Sequence, residues 1–128
     1  MMRVLAAAGA LLLLGAAPAE PPPNPQVVGE RVFLKCYSCH TIRPGTAPLS
    51  GPSLHGIIGR KTAAQPGFDY SPAMRTFSAK HPVWTFELLD RYAADPQTLV
   101  PGTTMTSPGV SDPEERAELM DYLRAKSD

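Results

Sequence analysis

The stretch "KCYSCHTIRPG", residues 35 to 45, sets two cysteines two residues apart with a histidine directly after the second. One helical turn would bring the thiols of Cys36 and Cys39 to one side of the chain, with the imidazole of His40 beside them. Three chemistries use such a trio: a structural zinc, a redox dithiol, or a haem joined through its two vinyl groups with the histidine on its iron. Each demands a different fold. Structural zinc takes four ligands, usually in two separated pairs, and this chain has no cysteine beyond these two. His55 and His81 lack partners at the usual spacing. A thioredoxin-like dithiol needs a strand-helix-strand setting, and no such pattern is visible. The covalent haem is the reading the motif favours.

The compartment agrees with it. Arg3 precedes an unbroken small and apolar run from Val4 to Ala17, and Ala17-Pro18-Ala19 fits a small-residue cleavage site. Residues 1–19 read as a signal peptide, which predicts export to the periplasm, outside the cytoplasm, where haem of this type is attached. Spanning a membrane takes about 20 apolar residues, and the run is shorter; an uncleaved anchor is the alternative. Residues 20–25, with "PPPNP" at 21 to 25, read as a proline-rich tether, and residues 26–128 as one domain. So small a domain has a thin core that a prosthetic group could fill. Losing Arg3 leaves 11 basic residues against 12 acidic ones, a balance that suggests no nucleic-acid partner.

Fifteen prolines and ten glycines imply many fixed turns. Asn24-Pro25 starts a helix with Val28, Val32 and Phe33 on one face, predicted to run to about Cys36. From Thr41 to Pro72 neither period is sustained, which predicts a long ordered loop. Ser71-Pro72 marks a further helix start. Thr85 caps a helix carrying Leu88, Leu89, Tyr92 and Ala93, which Pro96 closes. "PGTTMTSPG" is loop. Asp112-Pro113-Glu114-Glu115 opens the clearest helix, with Leu119, Met120 and Leu123 on one face. The fold class is all-α: three to five short helices joined by long loops.

An electron-transfer haem usually has a second protein ligand, and methionine opposite histidine raises its potential. Once the leader is removed three methionines remain: Met74, Met105 and Met120. Met120 lies on an apolar helix face and Met74 at a helix start, where packing explains both. Met105 sits in the rigid loop "VPGTTMTSPG" without periodic apolar neighbours, where a fixed soft ligand belongs. His55 and His81 are its rivals for that position.

With these residues in view, the chain from about Asn24 to Lys126 resembles the class I c-type cytochromes, of the short mitochondrial and bacterial type. "CYSCHT", "GPSLHGIIGRK", "PGFDYS", Trp84, "YAADPQTLVPGTTM" and "EERAELMDYL" stand in that family's order and spacing. The resemblance implies one haem c, with its iron, held by thioethers to Cys36 and Cys39 and ligated by His40 and Met105. It implies that the Pro52 carbonyl orients His40, that Tyr70, Trp84 and Arg60 serve the buried propionate, that Tyr92 lies near the Met105 sulfur and Thr103 near the inner propionate. It implies that the first and last helices cross, Gly29 and Phe33 against Leu119 and Tyr122. The function implied is a monomeric one-electron carrier, not an enzyme. Its donor would be a quinol-oxidising complex or a dehydrogenase and its acceptor an oxidase or reductase. A membrane-anchored relay subunit, or a haem sensor or peroxidase whose distal methionine leaves, are the alternatives.

The chain departs from the family pattern in two places. Met74 stands where mitochondrial members keep an asparagine. The lysines that ring the exposed haem edge are reduced to Lys35, with Gln97, Thr98, Thr104, Ser111 and Asp112 at the other positions, so docking is expected to rely more on apolar contact and less on charge.

Overall fold

The computed structural model describes residues 15 to 127, so most of the segment read as a signal peptide, 1–19, lies outside the described residues. Five helices follow in order: α1 (Pro25–Phe33), α2 (Pro72–Lys80), α3 (Phe86–Ala94), α4 (Pro96–Leu99) and α5 (Pro113–Ala125). Four of them open on a proline, whose missing N–H costs nothing at a first helical position. The side chain just before each helix accepts a backbone N–H of its first turn: Asn24, Ser71, Thr85, Asp95 and Asp112. Four of the fifteen prolines thus start helices.

The helix expected to reach Cys36 ends regularly at Phe33. Beyond it the winding tightens, with the N–H groups of Lys35 and Cys36 bonding three residues back to Val32 and Phe33. Pro96 closes α3 as expected, and it also opens the one-turn α4. α1 begins at Pro25, within the stretch read as tether.

α1 and α5 cross, as the resemblance implies, and their interface is the largest between helices. Gly29 makes the approach possible. A Cβ there would overlap the Glu118 carbonyl oxygen and lie 2.5 Å from Tyr122 Cβ. Phe33 and Tyr122 meet with ring centroids 5.5 Å apart, and Val32, Leu119, Met120 and Leu123 complete the buried seam. Met120 is wholly buried, a core residue as read. Arg116 of α5 ties in α3, donating from Nε to Asp90 Oδ1 at 2.8 Å.

Residues 41–71 form a loop that contains no helix. It is anchored by backbone bonds, Gly59 N–H to the Trp84 carbonyl at 2.7 Å and Trp84 N–H to the Arg60 carbonyl at 2.9 Å. Lys61 and Val83 form an isolated bridge, and among the described residues there is no strand.

Candidate functional site

The turn after α1 presents the cysteine pair. Cys39 and His40 both donate their backbone N–H to the Cys36 carbonyl, at 3.1 and 3.0 Å, so one helical turn separates the thiols. Both cysteines are free. Burial pushes the Cys36 thiol up, whereas hydroxyl contacts from Ser50 and Ser38 lower Cys39, which faces water.

His40 is buried and its tautomer is defined by a single contact. Its Nδ1–H donates to the Pro52 carbonyl at 2.7 Å. Removal from water lowers its pKa, and the bond to Pro52 opposes this only in part, so the ring is neutral near pH 7. A neutral ring with its proton on Nδ1 leaves the Nε2 lone pair for a metal. Gly51 lets the ring take this place: a Cβ at residue 51 would lie 2.5 Å from His40 Cε1 and 2.8 Å from Nδ1.

Met105 and Cys36 line one cavity of about 190 Å³, together with Ala93, Val110 and Leu119. Met105 packs on the core without being fully buried. Its loop is tied at several points. The Tyr92 and Thr103 hydroxyls pair at 2.8 Å in the interior, and Thr103 Oγ1 also accepts the Met105 N–H at 3.3 Å. Burial raises the Tyr92 pKa, partly offset by that bond. At the far end Val110 N–H donates to the Ala93 carbonyl, and Arg116 donates to the carbonyls of Val110 and Ser111. Gly109 is needed at the crossing, because a Cβ there would overlap the Ala94 carbonyl oxygen.

The remaining predicted residues form a second group. Arg60 donates to the carbonyls of Ser53 at 2.7 Å and His55 at 3.1 Å. Burial lowers its pKa and its Nε has no partner. Tyr70 accepts the Gln65 N–H through its hydroxyl at 3.0 Å. Trp84 is buried with its ring centroid 5.2 Å from that of Tyr92, which joins this group to the Met105 loop.

Among the described residues no three His, Cys, Asp or Glu side chains are gathered to hold a metal ion. His81 stacks on Phe77 at the exposed end of α2, and Met74 is buried in the core. A larger open groove near Lys80, His81 and Arg91 contains none of the predicted site residues. The donor set of two free thiols, a neutral imidazole and a thioether fits a haem. The unpartnered buried Nε of Arg60 suits a negatively charged group on such a ligand.

Sequence reasoning missed Gly51, the Ser53–Gln65 bond and Gln97, whose amide reaches the Met105 loop. Only Gly51 had a local signal, since it precedes the proline expected to orient the histidine.

No family model matches the chain. It is 36% identical over 106 residues to a cytochrome c of Ginkgo biloba, covering 82% of this chain and 91% of that one. Among solved structures it is similar to cytochrome cH from Methylobacterium extorquens, with a TM-score of 0.69 at 32% identity over 79% of this chain and 98% of that one. It is also similar to cytochrome c2 from Rhodospirillum centenum, with a TM-score of 0.74 at 30% identity over 80% and 98% of the two chains.

Proposed function

The chain belongs to the class I cytochrome c family, whose members are small haem-containing electron carriers rather than enzymes, and on that premise we propose that it is a periplasmic one-electron carrier. It would hold a single haem c by thioethers from Cys36 and Cys39, with His40 and Met105 as the protein ligands of its iron. When bound, the haem supplies a reversible ferric/ferrous couple, and a thioether opposite imidazole favours a more positive potential.

The chain's own residues supply rigidity and charge control. The Pro52 carbonyl holds the His40 proton on Nδ1 and so fixes which nitrogen is offered. Gly51 keeps that orientation free of overlap. Tyr92, Thr103 and the bond from Val110 to Ala93 hold the loop of Met105, so the thioether keeps its place in either charge state. Arg60, Tyr70 and Trp84 would meet the buried propionate, Arg60 offsetting its charge. The cavity shared by Cys36 and Met105 is the observation that carries this reading, because it joins the attachment motif to a thioether 69 positions further along the chain.

The surface around the cysteines supports a redox protein partner met through apolar contact. Leu34 and Tyr37, flanking Lys35 and Cys36, are 63% and 66% exposed. Lys35, the remaining member of the family's lysine ring, is paired with Glu115. Cleavage after residue 19 and a short proline-rich tether ahead of the Asn24 cap of α1 go with this reading, as do a quinol-oxidising complex or dehydrogenase as donor and an oxidase or reductase as acceptor. Among the described residues no helix is long and apolar enough to cross a membrane.

The test is the visible spectrum of the oxidised protein purified from the periplasm, beside Met105→Ala. The weak long-wavelength methionine-to-ferric band is expected in the native protein and absent from the variant. Its persistence in Met105→Ala would overturn the ligand assignment.

A further inference from the structure

The loop that carries Met105 is tied by a side chain that lies outside it. Gln97 occupies a position read from sequence only as a missing lysine. Its side-chain Nε2 donates to the Thr103 carbonyl at 3.0 Å and to the Met105 carbonyl at 2.9 Å. Both partners are carbonyl oxygens, which accept and never donate, so the end of the amide that faces them must be nitrogen, and both its hydrogens are used.

The base of this tether is fixed as well. Gln97 stands on α4, a single turn that could not persist alone. Pro96 opens that turn and the Asp95 carboxylate holds it, accepting Thr98 N–H at 3.1 Å and the Thr98 hydroxyl at 2.7 Å. Pro96 is itself fully buried and so anchors α4 to the core. A rigid stub therefore reaches across to the backbone of the residue that offers the thioether. The other ties act on the ends of the loop or on Thr103, a residue of the loop itself whose hydroxyl accepts the Met105 N–H. Gln97 is the side chain that bonds the main chain of Met105 from outside the loop.

We propose that Gln97 is a positioning residue for the distal ligand, a latch whose two N–H bonds keep the Met105 loop closed and slow its replacement by small ligands. The inference rests on Met105 being the distal ligand. A lysine here would carry one mobile ammonium toward solvent or toward a partner. The amide instead gives up that charge and bonds the chain's own backbone at the surface, so the same residue that thins the basic ring stiffens the ligand loop.

The test uses the holoprotein and imidazole as the entering ligand, followed by loss of the long-wavelength methionine-to-ferric band. Gln97→Glu keeps the shape, removes both hydrogens and turns a carboxylate toward two carbonyl oxygens; Gln97→Ala removes the contact altogether. Two ordinary hydrogen bonds at a largely exposed site correspond to about a 5- to 20-fold change in the open-to-closed ratio. Imidazole should therefore bind about 5 to 20 times faster in Gln97→Ala, and at least as fast again in Gln97→Glu. Amide exchange should accelerate by a similar factor at Met105 and Thr103 while the α1 and α5 amides stay protected, a selectivity that general destabilisation would not give. Imidazole rates within twofold of the native protein in both variants, with the band present, would overturn the latch and leave the ligand assignment standing. A native protein without the band would overturn the ligand assignment and the latch with it.

Discussion

Gly51→Ala should loosen the histidine without disturbing the rest of the chain. Its added Cβ would lie 2.5, 2.8 and 2.9 Å from Cε1, Nδ1 and Nε2 of His40, where ordinary contact needs about 3.5 Å. The ring must withdraw by roughly 1 Å. That is enough to break its 2.7 Å bond to the Pro52 carbonyl. The carbonyl behind a metal-bound histidine is typically worth a factor of about 10 to 100 in metal affinity. Iron and a proton compete for the same imidazole, so a 10- to 100-fold weaker bond raises the pH at which acid displaces the histidine by about 1 to 2 units. The sign follows from the protein alone too. Burial lowers the His40 pKa below its ordinary value of 6.5, so the unfolded chain binds the proton more readily and acid removes stability as pH falls below that value. The assay is an acid titration of the oxidised holoprotein, monitored by its low-spin visible spectrum. A midpoint unchanged to within about 0.3 unit would refute the claim that Gly51 and Pro52 together set the ring.

Other expectations rest on separate parts of the molecule. Since Lys35 is paired with Glu115, the rate of reduction by a partner should change less than about threefold between low and physiological ionic strength, and a steep fall in a stopped-flow series would contradict apolar docking. Gly29→Ala gains about 1 kcal/mol of helix propensity but forces α1 off the Glu118 carbonyl, an overpacking that costs about 1–3 kcal/mol or more. A lower melting midpoint is expected, and a higher one would show the crossing to be loose. Tyr92→Phe and Thr103→Val each remove one end of the buried hydroxyl pair, so a double-mutant cycle on thermal stability should return a coupling of about 1 kcal/mol. A coupling near zero would mean that water replaces the bond.

How much was legible depended on how local the cause was. The helix starts could be read because a cap and its proline are sequence neighbours, as at Asn24-Pro25, Ser71-Pro72 and Asp112-Pro113. The end of α1 was harder, since the shift to tighter winding after Phe33 reflects the demands of the cysteine turn rather than any breaker residue. α4 was hidden because Pro96 was read for one of its two roles. The crossing of Gly29 over α5 came from resemblance, and the structure supplies its reason in the Glu118 carbonyl. The bonds from Arg116 to Asp90 and from Gln97 to Met105 join elements whose relative placement no local pattern encodes. Gln97 also shows how comparison can mislead: as a lysine lost it looked like an absence, and in the fold it is a contact.

In the proposed carrier one electron would pass through a haem that keeps both His40 and Met105 as ligands. A spectroelectrochemical titration of the purified holoprotein, under argon and again under carbon monoxide, asks whether it does. A single transition with a one-electron Nernst slope is expected, at the same midpoint in both gases. A midpoint that rises under carbon monoxide would contradict it, because that would mean the reduced centre releases Met105 and binds the gas as a sensor or peroxidase would.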